Sequence, residues 1–198
     1  MIDNSEHIRE FLSFNENDFY FVQIIKRRKD DPTMTVGQRT LKTYYIESFE
    51  QYDKMLPVIK LECENNIARA YFSLNKRNYE DNALHILHKS VTQIMNKQFK
   101  SLRTVFDSIT GKYHSDSDKK WLVDVDGIKY NEFVGTENII TTVIKLQSKT
   151  KNEPMAKLIP TKNGTHIITR PFNLQKFKED FPEIDVHKDA ITLLYCPE

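Results

Sequence analysis

Six residues, Trp121 to Asp126, read W-L-V-D-V-D and leave the backbone little choice. Successive side chains of an extended chain point to opposite faces, so Trp121, Val123 and Val125 share one side, and Leu122, Asp124 and Asp126 the other. The first side is core material. The second projects two neighbouring carboxylates, which repel each other unless a divalent cation, a Lys or Arg partner or an exposed strand end relieves them. Further along, K-L-I-P-T-K-N-G-T-H-I-I-T-R-P-F-N (157–173) predicts a strand over Met155 to Ile159, a turn over Pro160 to Gly164 and a returning strand over Thr165 to Thr169. His166 opens that returning strand and shares a face with Ile168 and Arg170. With Lys162 and the backbone N–H groups of the glycine turn, His166 and Arg170 make a candidate site for nucleotide phosphates. The bland alternatives are a strand end paired by lysines for the two acids and a rim position for the histidine.

The remaining chain supplies scaffold. The run F-Y-F-V-Q-I-I-K-R-R-K (19–29) reads as a strand, with Leu41 to Ile46 as its hairpin partner across a loop holding Asp31-Pro32 and Gly37. Ile8 to Asn15 reads as a short helix or turn. Ser48, followed three positions later by Gln51, predicts a capped helix using Phe49, Tyr52, Met55, Leu56, Ile59 and Cys63, broken at Pro57. Ile67 to Leu74 predicts a strand with Arg69 and Tyr71 on one face. Apolar residues spaced by three and four from Ala83 to Ile109 predict one long helix, straight or bent, from about Tyr79 to Ile109, with Leu84, Leu87, Val91, Ile94, Met95 and Phe99 in its apolar stripe. His85 and His88 on that helix read as surface residues rather than metal ligands. Gly111 to Lys120 and the residues after Gly127 are loops; Thr136 caps a helix with Ile139, Ile140, Val143, Ile144 and Leu146 inward, although T-T-V-I also suits a strand. A short helix follows Asn173 and stops at Pro182, and Ile191 to Tyr195 forms the last strand.

From Trp121 onward the order is therefore β-α-β-β-α-β, a split arrangement of the ferredoxin-like and RRM-like kind, with a mixed or antiparallel sheet and one face free for work. The expected fold class is α/β (α+β): one compact domain over residues 1–198, with residues 1–66 as an N-terminal hairpin-and-helix subregion and residues 67–198 as a catalytic-like core. Low glycine and proline counts (5 and 7) and the lack of a linker composition agree with this. No run of 18 apolar residues exists and the first residues are polar, which predicts no membrane span and no signal peptide. Cys63 and Cys196 lack metal spacing and suit a reducing, cytoplasmic setting. The net charge of +1 favours no partner class by itself. Three local basic clusters matter more: Lys26 to Lys29 with Arg27 and Arg28, Lys76-Arg77, and Lys97 to Arg103. Together with Arg69 the first two are candidate nucleic-acid contacts, against the blander account of solvated charge. P-loop, dinucleotide, zincin and hydrolase-elbow motifs are all missing.

The order of a hydrophobic strand, D-V-D at Asp124 and Asp126, and then T-K-N-G-T-H ending at His166 resembles the first two motifs of the archaeo-eukaryotic primase and primase-polymerase superfamily. The resemblance is confined to about Trp121 to Phe172. It implies a primase-like fold, with Asp124 and Asp126 holding Mg²⁺ or Mn²⁺ and His166 contacting the phosphates of an incoming nucleoside triphosphate. The family's third acidic position lies well downstream of the histidine; Asp185, in E-I-D-V-H, is the nearest candidate, close for the family, with Asp189 behind it. The implied activity is metal-dependent nucleotidyl transfer on a nucleic-acid template, with replication proteins as partners. A catalytically inactive nucleic-acid-binding or accessory replication protein is the alternative, and a metal-dependent nuclease or phosphotransferase a further one.

Overall fold

The computed structural model describes residues 1–112, 118–127, 133–147 and 153–198. Parts of the two loops expected after Gly111 and after Gly127, and of the polar stretch after Leu146, lie outside the described residues. In chain order the elements are β1 (Ile2–Asp3), α1 (Ser5–Arg9), β2 (Asp18–Arg27), β3 (Gln38–Ile46), α2 (Phe49–Asn66), β4 (Arg69–Ser73), β5 (Arg77–Asn78), α3 (Tyr79–Met95), a 3₁₀ turn (Phe99–Thr104), α4 (Val105–Thr110), β6 (Trp121–Asp126), α5 (Phe133–Leu146), β7 (Ala156–Pro160), β8 (Gly164–Thr169), α6 (Leu174–Asp180), β9 (Asp185–His187) and β10 (Ile191–Cys196). The architecture is mixed α and β, with two antiparallel sheets among the described residues.

The first sheet runs β1-β10-β4-β2-β3, with β5 paired to the start of β2. The predicted hairpin is its β2–β3 pair, running from Tyr20↔Ile46 to Arg27↔Gln38 with a register shift between Ile24 and Ile25. The second sheet runs β7-β8-β6-β9. Its four strands and α5 and α6 follow the expected β-α-β-β-α-β order, but the closing strand differs. The expected closer, Ile191 to Tyr195, pairs as β10 with β1 and β4 in the first sheet, and Asp185–His187 takes its place beside β6. The division at residues 66 and 67 consequently does not follow the sheets, since β4 and β10 both belong with the N-terminal strands.

Alternation along β6 places the core. Val123 and Val125 pack with Ile139 and Val143 of α5, Ile167 of β8 and Phe177 of α6, and the Trp121 ring meets Phe172 edge-on at 5.4 Å. Leu122, with Ile168 of β8 and Ile159 of β7, joins the other core, which holds Val22, Ile24, Phe72, Leu194, Tyr52 and Ile59. The second sheet thus has apolar contacts on both faces near the start of β6. Only further along that strand does one face turn polar.

The helices depart from expectation at three places. Ser48 caps α2 by accepting from Gln51 N at 3.1 Å, and Gln51 Oε1 accepts from Glu47 N at 2.7 Å. The helix then passes through Pro57 without breaking. Pro57 and Asp53 are both exposed, so the Asp53 carbonyl that loses its N–H partner meets water, while Tyr52, Ile59 and Cys63 anchor the opposite side. The long helix expected to Ile109 stops at Met95, where Lys97 adopts φ 57° and the chain folds back through the 3₁₀ turn into α4. Its apolar stripe is exposed rather than buried. Thr136 is not a cap but a buried residue inside α5, and the T-T-V-I segment is helical.

Candidate functional site

Gly164 sets the spacing of the site. A Cβ there would stand 2.1 Å from the Val125 carbonyl oxygen, so only glycine lets β8 lie this close to the end of β6. The turn before it is internally bonded: Gly164 N donates to Thr161 Oγ1 at 3.0 Å and Thr161 N to Gly164 O at 3.0 Å. Those two N–H groups are therefore not free for phosphate, contrary to the expectation for this turn. Gly127, at φ 79°, donates its N–H to Asn163 O at 2.9 Å and ties the two strand ends together.

With that register, Asp124 lies opposite His166 on one side and opposite Asp185 on the other. Asp126, exposed at the strand end, lies opposite Gly164. The sequence-predicted acids and histidine therefore converge, and so does the nearest third acid. His166 is mostly buried; its Nδ1 is 2.8 Å from Thr192 Oγ1 on β10, and its Nε2 is 3.6 Å from Asp124 Oδ1. Desolvation pushes the imidazole pKa down to about 4, against a smaller upward pull from Asp126, so the ring is neutral near pH 7 and its contact with Asp124 is not an ion pair. The Asp124 carboxyl is held above its ordinary value, first by burial and then by the charge of Asp126, with Asp185 adding to it and His187 and Arg27 opposing.

These groups border a cleft where the two sheets meet. Its larger lobe, about 440 Å³, is lined by Asp124, His166 and His187 from the second sheet and by Phe21, Gln23, Arg27 and Tyr71 from the first. A smaller lobe of about 110 Å³ adds Asp126, Lys162, Asn163, Lys29 and Arg69. Arg27 Nη1 donates to the Tyr71 hydroxyl at 3.0 Å and faces both lobes. Lys162 stays half exposed and touches Asp30 at 3.3 Å, within reach of the cleft.

Of the other candidates, Arg77 borders the larger lobe and Arg69 the smaller, while Arg170 and Lys76 line neither. Arg170 pairs with Asp118 at 2.8 Å and the Glu153 carbonyl, and it lines neither lobe. Arg69 reaches the rim of the smaller lobe but is buried in a two-pronged bond to Asp30 at 2.8 and 2.6 Å. Lys76 pairs with Asp18 at 2.7 Å. Arg77, 2% exposed, is bonded to Thr110 O, Asn75 O and Asp189 and sits over the Phe21 ring. Lys76 and Arg77 are thus structural, not a solvated basic exit, and Asp189 is engaged by Arg77 and Asn75 instead of joining Asp124. Arg28 is exposed beside the cleft residue Arg27. The residues alone do not single out Thr192, His187 and Gln23, because no local pattern announces that their strands meet at this cleft.

Among the described residues no three His, Cys, Asp or Glu side chains stand close enough to form a ready-made metal cluster. The donor chemistry still suits a hard divalent cation: crowded carboxylates from two adjacent strands, one of them raised by burial and then by its acidic neighbours. No helix among the described residues is long and apolar enough to cross a membrane. Comparison with protein-family models, with curated proteins and with solved structures finds no match for the chain.

Proposed function

We propose that the chain is a primase-polymerase-like nucleotidyltransferase acting on a nucleic-acid template. The observation that carries this reading is the register of the second sheet, which sets Asp124 between His166 and Asp185. The strand order β7-β8-β6-β9 within a β-α-β-β-α-β unit supports it, as a split ferredoxin-like or RRM-like core would.

In this reading Asp124 and Asp126 hold Mg²⁺ or Mn²⁺, with Asp185 across the strand pair as the third acid. When bound, the cation neutralises triphosphate charge and makes the attacking hydroxyl more acidic. The chain's own groups do the positioning. The Nδ1 of the neutral His166 is bonded to the Thr192 hydroxyl, and the tautomer this reading requires, with Thr192 donating, carries an Nε2–H that would donate to a phosphate oxygen. Lys162 and Arg27 supply positive charge at the two lobes. Tyr71 offers a ring face for a base, and Arg28 and Lys29 extend the positive rim toward a template backbone.

The test is Mn²⁺-dependent incorporation of labelled nucleotides on single-stranded DNA and RNA, with and without primer. Incorporation by the wild type that is lost in a folded Asp124→Asn, Asp126→Asn double variant supports the reading. Template-independent turnover of nucleotides or strand ends would make it a nuclease or phosphotransferase. Binding without incorporation, and unchanged in the double variant, would overturn catalysis and leave a binding or accessory role.

A further inference from the structure

The outer side of α3 carries a seam that the fold does not use. Leu84, Leu87, Val91 and Ile94 are spaced three, four and three apart, which keeps them on one side of the helix in the pattern of a coiled-coil seam. Each is between 47% and 73% exposed, and Met95 and Phe99 widen the patch at 77% and 59%. Among the described residues no element covers them. The opposite side of α3 is the one that packs, through the half-buried Ile86 and a bond from Lys89 to Ser108 of α4. Six large side chains exposed to this degree form an apolar surface on the order of several hundred Å², at the upper end of the roughly 300–600 Å² that an ordinary monomer leaves bare. That approaches the roughly 800 Å² each partner contributes to a stable interface.

Charge indicates what fits it. Four residues before Leu84, on the same side of the helix, stands the exposed Glu80, while Lys97, Lys100 and Arg103 lie exposed past the far end. The seam is therefore acidic at one end and basic at the other. A second copy laid parallel would set like charges together. Laid antiparallel about the middle of the seam, Leu87 of one copy meets Val91 of the other, Leu84 meets Ile94, and Glu80 reaches the Lys97 end. We infer that the chain pairs with a second copy of itself through α3, antiparallel and two-fold symmetric. None of the seam residues lines the cleft, so this pairing leaves the cleft open.

Sedimentation velocity of the full chain over a wide concentration range tests the inference. The wild type should shift from monomer to dimer in the micromolar range. Leu87→Glu, an exposed change at mid-seam that recurs twice in a symmetric dimer, should raise the dissociation constant at least about a hundredfold while leaving the thermal midpoint of the dilute monomer unaltered. Glu80→Lys alone should weaken the dimer, and adding Lys97→Glu should restore it. A wild type that remains monomeric throughout overturns the inference, whether or not α3 serves another partner. So does a dimer that Leu87→Glu leaves unchanged, and a double charge exchange that fails to recover what Glu80→Lys loses overturns the antiparallel arrangement.

Discussion

His166 Nδ1 and Thr192 Oγ1 meet at 2.8 Å, linking β8 of the second sheet to β10 of the first at the edge of the cleft. The bond fixes which imidazole nitrogen faces Asp124, and it does so from a strand that belongs to the other sheet. Thr192→Val keeps the shape and removes the hydroxyl. It should cost about 1–3 kcal/mol in urea unfolding, because a buried ring nitrogen loses its partner. Under the proposed activity it should also lower kcat at least tenfold, while Thr192→Ser retains most of both; steady-state kinetics beside the unfolding curves separate the two effects.

Gly164→Ala should be among the most damaging single-methyl changes in the molecule. Its Cβ would meet the Val125 oxygen at 2.1 Å and the Asp126 Cα at 3.0 Å, both backbone atoms that move only if β8 parts from β6. A loss of roughly 3 kcal/mol or more is expected. Gly37→Ala, with nothing within 4 Å, should change stability by no more than about 0.5 kcal/mol. Thermal and urea midpoints of the two variants check the contrast.

Ile67 ends α2 at φ 50° and ψ 56°, a conformation that a β-branched residue adopts at a cost of roughly 1–2 kcal/mol. Its side chain is 54% exposed, so little burial offsets that strain. Ile67→Gly should therefore raise stability by about 0.5–1 kcal/mol, the flexibility glycine adds to the unfolded chain taking back part of the gain. An unchanged or lower urea midpoint would contradict this.

Acid should unfold the protein partly through Asp30. Burial alone would raise this carboxyl, but its bonds to Arg69 and Lys162 outweigh burial and hold it below the ordinary 3.8. A lowered folded-state pKa gives stability that is fully present above the unfolded value near 4 and is lost as pH falls through the folded value. Unfolding free energy should accordingly be insensitive to this group down to about pH 5 and decline below about pH 4. Asp30→Asn should cost roughly 3 kcal/mol at neutral pH by leaving the buried Arg69 guanidinium uncompensated, and its stability should fall less steeply in acid.

Much of the local structure was legible in the residues. The β2–β3 hairpin, the Ser48 cap, the β7–β8 turn and the helix opened by Asn173 all follow from short patterns whose partners are close in sequence. The failures have physical causes of their own. A proline inside a helix predicts a break, yet the hydrogen bond lost at Pro57 falls on the solvated side of α2. Periodicity marks the apolar side of α3 without stating what covers it, and the stripe lies exposed. Two adjacent basic residues after a strand predict a basic exit, but burial with Asp189 and Asp18 makes Arg77 and Lys76 internal ties.

The same division runs through the cleft. Alternation in W-L-V-D-V-D was enough to put Asp124 and Asp126 on one face and the valines on the other, because that depends only on the two-residue repeat of an extended backbone. Which strands flank β6 does not follow from that repeat. The tertiary structure sent Ile191–Cys196 to the first sheet, set the short Asp185–His187 strand against Asp124, and brought Thr192 to His166. Strand pairing across long stretches of chain is decided by how the two cores pack together, and no local pattern in the sequence encodes it.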